Sequence, residues 1–115
     1  MAIRSNIGLG VTAILAVDTP LIVPAAPLDR ISIGAISLHN DGVAGATITV
    51  ELYISPDLTS ASGDRVGIYR IPDDAQVDAV ALIGQGLAVG ENLIAVGSVL
   101  GCNVHITETE YDGNS

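Results

Sequence analysis

A strict alternation of apolar and more polar side chains runs from Thr47 to Ser55 and limits what this chain can fold into. Successive side chains of a β-strand point to opposite faces of a sheet, so each of the two residue sets in this segment occupies one face. The pattern therefore predicts a half-buried strand, and its β-branched residues are of the types that strands favour. The side chains expected on the buried face are Ile48, Val50, Leu52 and Ile54.

A second alternating segment, from Arg30 to Asn40, changes its phase beside Gly34. A phase change of one residue next to a glycine is typical of a β-bulge or a bend within a strand. The segment 40–45 that follows reads NDGVAG, and Asn, Asp and Gly tolerate the left-handed and turn conformations that a hairpin requires. The sequence therefore predicts a strand, a hairpin turn and a second strand across residues 30–55.

Shorter apolar segments, separated by Gly, Pro, Asn and Asp, continue this pattern along the chain. Seven or eight short strands with turns every ~8–12 residues predict an all-β fold, a single antiparallel β-sandwich or jelly roll. The segment Asp73 to Leu82 is the one that could instead be helical, with an aspartate as its cap and Gly84 at its end. The further strands are expected at Val11–Val17, Leu21–Val23, Arg65–Ile71, Val77–Ile83, Leu93–Val99 and Val104–Tyr111.

The chain ends differ from the middle, which sets the expected domain organisation. Residues 1–10 have the composition of a flexible N-terminal arm, of a kind that can order on a neighbouring subunit. Residues 11–111 are expected to form the sandwich domain, and residues 112–115 a polar C-terminal tail. No linker and no internal repeat divides the domain.

Composition excludes several classes of function. The chain has 115 residues, enough for one domain with a single core, and its hydrophobic fraction of 49% excludes an intrinsically disordered chain. Four Lys and Arg residues against 13 Asp and Glu residues give a formal net charge of −9. Neither nucleic acid nor an anionic membrane surface is therefore an expected partner. No run approaches the ~18 apolar residues of a membrane-spanning helix.

Few residues could carry chemistry. His39, His105 and Cys102 fit no zinc-ligand spacing, and no nucleophile motif is present, so we expect neither an enzyme nor a cofactor. As the single cysteine, Cys102 cannot close an intrachain disulfide; a packed thiol is the leading interpretation, beside an intermolecular disulfide and a reactive thiol. Acidic groups around residues 57–64, 73–78 and 108–112 offer oxygen ligands but do not match a calcium loop.

The composition does indicate assembly. With few charges and many aliphatic residues, some of the exposed surface of a small β-protein must be apolar, and contiguous apolar surface usually marks a contact with a partner. A homo-oligomer would bury such a surface and protect edge strands. Hairpin tips protrude, so they are the expected contact points. The candidate contact residues are Asn40, Asp41, Gly42, Asp57, Leu58 and Thr59.

The segments Arg30–Gly42 and Ala46–Ile54 resemble small β-sandwich virion proteins of tailed bacteriophages. In that group an I-x-I-x-N-x-G strand and turn leads into an x-V-T-V-x-L-Y strand. The Gly90–Leu93 turn is similar to the group's G-E-x-L turn, and Val104–Tyr111 to its closing strand. The resemblance covers roughly residues 10–111 and rests on turn and strand chemistry.

The resemblance implies a non-enzymatic structural protein of the virion, a capsid decoration (cement) protein. Its expected partner is the major capsid protein, its expected state a homotrimer or other homo-oligomer, and its expected place the capsid exterior after synthesis in the host cytoplasm. The net charge of −9 fits the exterior, because packaged DNA would repel it.

Two other functions stay open. A tail or fibre module would bind a host receptor or carbohydrate, with Tyr53, Tyr69 and Tyr111 as the candidates for sugar stacking. A small secreted or adhesive β-module is the third interpretation.

Overall fold

The computed structural model describes residues 3–14, 16–23, 30–43, 45–88 and 90–111, with side chains described for residues 13–106 of these apart from residue 30. This part of the chain contains nine strands, two short 3₁₀ turns at Ser60–Ser62 and Val80–Leu82, and no α-helix. Within it, no helix is long and apolar enough to cross a membrane. The strands are β1 (Ile3–Ile14), β2 (Thr19–Ile22), β3 (Arg30–Asn40), β4 (Ile48–Ser55), β5 (Asp64–Ile71), β6 (Gln76–Asp78), β7 (Gly86–Ala88), β8 (Asn92–Gly97) and β9 (Cys102–Tyr111).

Two antiparallel sheets pack face to face and confirm the predicted β-sandwich. Sheet A has the order β1-β9-β3-β6, with the short β7 also pairing with β3, and sheet B has the order β2-β8-β4-β5. Leaving β7 aside, the other eight strands have the arrangement of a jelly roll, in which two four-stranded sheets face each other. The connections β1–β2, β8–β9, β3–β4 and β5–β6 each pass from one sheet to the other at the same end of the sandwich. We call this end the arch end; its described residues are 16–18, 41–43, 45–47, 72–75 and 98–101.

The predicted hairpin between β3 and β4 is wrong. Both strands exist at the expected positions, but β3 lies in sheet A between β9 and β6, whereas β4 lies in sheet B between β8 and β5. Each strand has one aliphatic face, and placing the strands in opposite sheets buries both faces against each other. The Asn-Asp-Gly segment therefore spans the two sheets and does not reverse the chain within one sheet.

The core confirms the sequence pattern of β3. Ile31 and Ile33 are buried before Gly34, and Ile36 and Leu38 are buried after it. The β3–β9 register shifts between Ile33 and Ala35, which is the predicted irregularity beside the glycine. The largest fully buried side chains of the sandwich are Ile14, Ile33, Ile36, Leu38, Ile48, Leu52, Ile71, Leu87, Leu93, Ile94, Val50 and Val104.

The segment after β5 departs from both of its predictions. Residues 77–83 form neither a buried strand nor a helix: β6 is three residues long and the 3₁₀ turn Val80–Leu82 follows it. Ala79 and Leu82 are buried, but Val80 and Ile83 are exposed, so the apolar run does not have the burial of an interior strand. The short strand β7, which is not among the predicted strands, pairs with the start of β3.

The predicted division into arm, domain and tail stays a prediction. β1 begins at Ile3 and pairs with β9, so part of the segment expected as an arm lies in sheet A. Residues 112–115, the expected tail, lie outside the described residues.

Candidate functional site

A row of exposed aliphatic side chains lies on three neighbouring connections of the arch end. Val17 is on the β1–β2 connection, Val99 and Leu100 are on the β8–β9 connection, and Val43 is on the β3–β4 connection. Because β9 lies between β1 and β3, and β8 between β2 and β4, these connections lie side by side in that order. Val43 is 83% exposed and Leu100 is 61% exposed. We call these four residues the apolar row.

Backbone hydrogen bonds hold the connections of the arch end together. Asp41 N–H donates to the Gly101 carbonyl at 2.9 Å, which ties the β3–β4 connection to the β8–β9 connection. Asn40 N–H donates to the Ala75 carbonyl at 2.9 Å, which ties the end of β3 to the β5–β6 connection. Val43, Val99 and Leu100 therefore lie on connections that are bonded to each other, whereas the β1–β2 connection that carries Val17 is bonded through Asp18 to Ser60.

Asn40, one of the candidate contact residues, is fully buried and braces this end from inside. Its side-chain amide donates to the Ala46 carbonyl at 2.8 Å and to the Ile71 carbonyl at 3.1 Å. Its Oδ1 accepts a hydrogen bond from Gly42 N–H at 3.0 Å. The side chain thus satisfies backbone groups where the chain crosses between the sheets, and it is not available to a partner.

The arch end is acidic beside the apolar row. Asp41 is exposed, and its Oδ1 accepts the Val43 N–H at 2.9 Å. Asp73 and Asp74 are exposed on the neighbouring β5–β6 connection, where a Cβ atom on Gly42 would lie 3.6 Å from Asp73 Oδ1. Three carboxylates therefore lie around the Gly42–Val43 part of the arch end.

The second group of candidate contact residues lies at the other end of β4 and has a different structure. Asp57 Oδ1 accepts hydrogen bonds from Thr59 N–H at 2.9 Å and Thr59 Oγ1 at 2.8 Å, and these bonds lower the pKa of Asp57 to about 2. Ser60 N–H donates to Asp18 Oδ2 at 3.1 Å, which holds the loop back against sheet B. Leu58 is the exposed apolar residue of this loop.

The two candidate groups are not brought together. Asn40, Asp41 and Gly42 precede the start of β4, and Asp57, Leu58 and Thr59 follow its end. The eight residues of β4 separate them by roughly 25 Å at the rise of a β-strand.

The two histidines, widely separated in sequence, share the outer face of sheet A. His105 pairs with Ser37 across the β3–β9 ladder, and His39 pairs with Asn103 in the same ladder. They line a shallow depression of about 280 Å³ with Ser37, Gln76, Asn103 and Val104. Sequence reasoning placed His105 on the face opposite Val104 and Ile106, as observed, but it could not place it beside His39 because the pairing of β3 with β9 is not local.

One of the hydrogen-bonding groups of this depression, the Ser37 hydroxyl, already has a partner. Ser37 Oγ donates to Asp78 Oδ1 at 3.0 Å, so that hydroxyl is held by a carboxylate and not by an imidazole base. Among the described residues, no group of three or more His, Cys, Asp or Glu side chains is placed to hold a metal ion. Asp57, Asp73 and Asp78 lie in three different elements and do not converge.

Cys102 is a packed thiol, as its leading interpretation predicted. It is 1% exposed at the start of β9 and belongs to the core cluster. Burial raises the pKa of its thiol to about 11, and the Asp41 carboxylate adds to this effect. In this state the sulfur is neither a thiolate nor accessible to a second cysteine.

The two tyrosines with described side chains do not form a joint stacking surface. Tyr53 lies on the outer face of sheet B, where its hydroxyl donates to Glu51 Oε2 at 3.0 Å. Tyr69 pairs with the buried Val50 and packs against the core beside Gly67. The side chain of Tyr111 lies outside the described part of the structure.

No protein-family model and no curated protein matches the sequence. Among solved structures, the fold is similar to a protein from work describing Bacillus endospore appendages as a novel family of disulfide-linked pili. The TM-score is 0.53 at 10% sequence identity, and the similarity covers 96% of this chain and 88% of the other. At this identity the similarity shows the fold alone.

Proposed function

We propose that this chain is a non-enzymatic structural subunit that assembles with copies of itself, and that the arch end is a contact surface of the assembly. The apolar row carries the proposal. Four exposed aliphatic side chains lie on three neighbouring connections, two of which are bonded to each other, and contiguous apolar surface marks protein contacts.

The rest of the molecule supports a structural function over a catalytic one. Several described side chains that could react or bind a ligand already have structural contacts. Asn40 is buried and hydrogen-bonds to three backbone groups, the Ser37 hydroxyl donates to Asp78, and the Cys102 thiol is buried. The solved structure with a similar fold comes from endospore appendages that are described as disulfide-linked pili, which is consistent with a structural function.

Such an assembly would not depend on a disulfide through Cys102. The thiol is 1% exposed and its pKa is raised to about 11, so both access and thiolate formation oppose disulfide exchange. The arch end instead offers aliphatic contact surface, whose burial stabilises an interface by about 25 cal/mol per Å² before the opposing terms.

Two forms of the assembly are proposed on different grounds. Capsid decoration, as a homo-oligomer bound to a major capsid protein, is the form that the sequence resemblance implies, and the net charge of −9 is consistent with a capsid exterior. A pilus-type appendage is the form that the fold similarity suggests. Both forms of the assembly require that copies of the chain associate through a surface such as the arch end.

The test is sedimentation velocity of the purified chain, with negative-stain electron microscopy, in the presence of a reductant. We expect species of many copies for the wild type and monomers for the double variant Val43→Asp/Leu100→Asp. Introducing two charges into a contact surface would weaken association by at least tenfold.

The control is Val80→Asp/Ile83→Asp, which places the same charges on two aliphatic residues that are as exposed but lie away from the arch end. This variant should assemble like the wild type. A wild-type chain that stays monomeric up to ~100 μM, where the association free energy would be weaker than about −5 kcal/mol, would contradict the proposed function.

A further inference from the structure

The outer face of sheet B has a surface that complements the arch end. Arg70, Ile68 and Arg65 of β5 pair with Thr49, Glu51 and Tyr53 of β4, and these pairs face away from the core because Val50 and Leu52 face into it. Ile68 is 43% exposed in the middle of this strand. Next to it, a shallow depression of about 250 Å³ is lined by Thr49, Glu51, Val96, Gly97 and Ser98. We call Ile68, Arg70 and the strand residues of this depression, Thr49, Glu51, Val96 and Gly97, the sheet B surface; Ser98, at its edge, belongs to the arch end.

The charges of this surface differ from those of the arch end. Arg65 forms an ion pair with Glu51 at 3.1 Å, so these two charges offset each other. Arg70 is exposed and forms no ion pair with any other described residue. The sheet B surface therefore combines an exposed isoleucine and a depression with an available guanidinium, whereas the arch end combines an apolar row with Asp41, Asp73 and Asp74.

These charges disfavour contact between two arch ends. In a symmetric contact the same surface meets itself, so the three aspartates of each copy would face those of the other. Contact between the arch end and the sheet B surface instead pairs carboxylates with Arg70 and aliphatic side chains with Ile68. The complementarity thus favours a contact between two different surfaces.

We propose that the arch end of one copy docks on the sheet B surface of a second copy, with Leu100 against Ile68 and Asp73 facing Arg70. This inference rests on the proposed function and adds the partner surface and the type of contact. Where this contact is not reciprocal, it leaves one surface of each kind unfilled on every dimer, so copies add head to tail, as an open chain or a closed ring.

The test mixes two variants that are each defective in one surface. Val43→Asp/Leu100→Asp places charges on the arch end and leaves the sheet B surface unchanged. Ile68→Asp/Arg70→Glu changes the sheet B surface and leaves the arch end unchanged. We expect each variant alone to be monomeric and their equimolar mixture to form a heterodimer and nothing larger, by sedimentation velocity or native mass spectrometry. Thermal melts followed by circular dichroism verify that both variants are folded.

A charge exchange tests the ion pair. Arg70→Asp should weaken association by about tenfold or more, and adding Asp73→Arg in the same chain should restore most of it. Asp64→Arg, which introduces an arginine at the exposed start of β5, is the control and should not restore it.

The outcomes separate the two proposals. A monomeric wild type overturns the proposed function and this inference with it. A wild type that assembles, combined with an Ile68→Asp/Arg70→Glu variant that still assembles alone or a mixture that forms no heterodimer, overturns this inference and leaves the proposed function standing.

Discussion

Two connections with similar turn residues flank β4, and they differ in which side chains they bury and which they expose. Before β4, Asn40 is buried between the sheets while Val43 projects into solvent. After β4, Asp57 bonds to its own loop, and Ser60 N–H donates to Asp18, which holds the loop against sheet B. The first connection buries its own asparagine and exposes a valine, whereas the second bonds its aspartate within the loop and is held to sheet B by Asp18 and Asn92.

The difference follows from which strands each connection joins. The first crosses from sheet A to sheet B and closes one end of the core, so its backbone carbonyls are removed from water and need a buried donor. The second joins β4 to its neighbour β5 in the same sheet, and its carbonyls at Ser55 and Asp57 accept hydrogen bonds from the Asn92 amide of the adjacent strand β8, at 3.2 Å and 3.4 Å. Turn residues alone do not distinguish these two tasks.

The largest expected effect is that of removing the buried amide, by Asn40→Ala. The Ala46 and Ile71 carbonyls lose their donor in a buried site, so the free energy of unfolding should fall by roughly 2–3 kcal/mol. Chemical denaturation monitored by circular dichroism measures this change.

The matched control for this variant is Asp41→Asn, at the neighbouring exposed position. The amide oxygen can still accept the Val43 N–H, so the stability should change by no more than about 0.5 kcal/mol. Equal effects of the two variants would mean that the buried asparagine does not brace the arch end.

A smaller effect is expected from Gly63→Ala, which tests how closely the second loop lies against β4. An added Cβ would be 2.9 Å from the Ile54 carbonyl oxygen and 2.9 Å from Ser55 Cβ, and a backbone oxygen cannot move aside without shifting the strand. The expected loss is roughly 1–2 kcal/mol, with faster hydrogen exchange of the amides in residues 57–63.

Gly45→Asn, in the first connection, is the control. Its φ of 65° is a conformation that asparagine tolerates, and no atom lies within 4 Å of an added Cβ. A loss below about 0.5 kcal/mol is expected there. If Gly63→Ala were as mild, the loop would not be held against the sheet as described.

The sequence predicted the strands well and their pairing badly, for a physical reason. The alternation of Ile31 and Ile33 with polar residues identifies which face of β3 is buried, and the phase change at Gly34 locates its irregularity. Neither signal says which strand lies alongside, because pairing between β3 and β9 joins residues that are distant in sequence. The predicted hairpin was wrong on this account.

The candidate contact surface was predicted in part for the same reason. Composition indicated exposed apolar surface, and the segment around Asp41 does belong to the arch end, but the apolar row needs Val17, Val43 and Leu100 from three connections that only the topology brings together. Asn40 was proposed as a contact because turn residues are usually exposed. It is buried in the structure, where its amide donates to the Ile71 carbonyl of β5. That partner is distant in sequence, so the turn residues around Asn40 do not reveal the contact.

The smallest expected effect concerns Asp57 and the dependence of stability on pH. Hydrogen bonds from Thr59 lower the pKa of Asp57 to about 2 in the folded chain, against about 3.9 for an unperturbed aspartate. A lowered folded pKa means that the ionised carboxylate stabilises the fold fully above the unfolded pKa, and that this contribution is lost as the pH falls from about 4 to about 2.

Wild type should therefore be more stable than Asp57→Asn at neutral pH, by an amount that shrinks between about pH 4 and about pH 2 in denaturation curves. Asp64→Asn is the control, because the Asp64 side chain is exposed and forms no hydrogen bond with another described residue, so this substitution should change the stability at neutral pH by no more than about 0.5 kcal/mol. A difference for Asp57→Asn that stays constant down to pH 2 would show that the second loop does not bond its own carboxylate, and the contrast with the first connection would then rest on Asn40 alone.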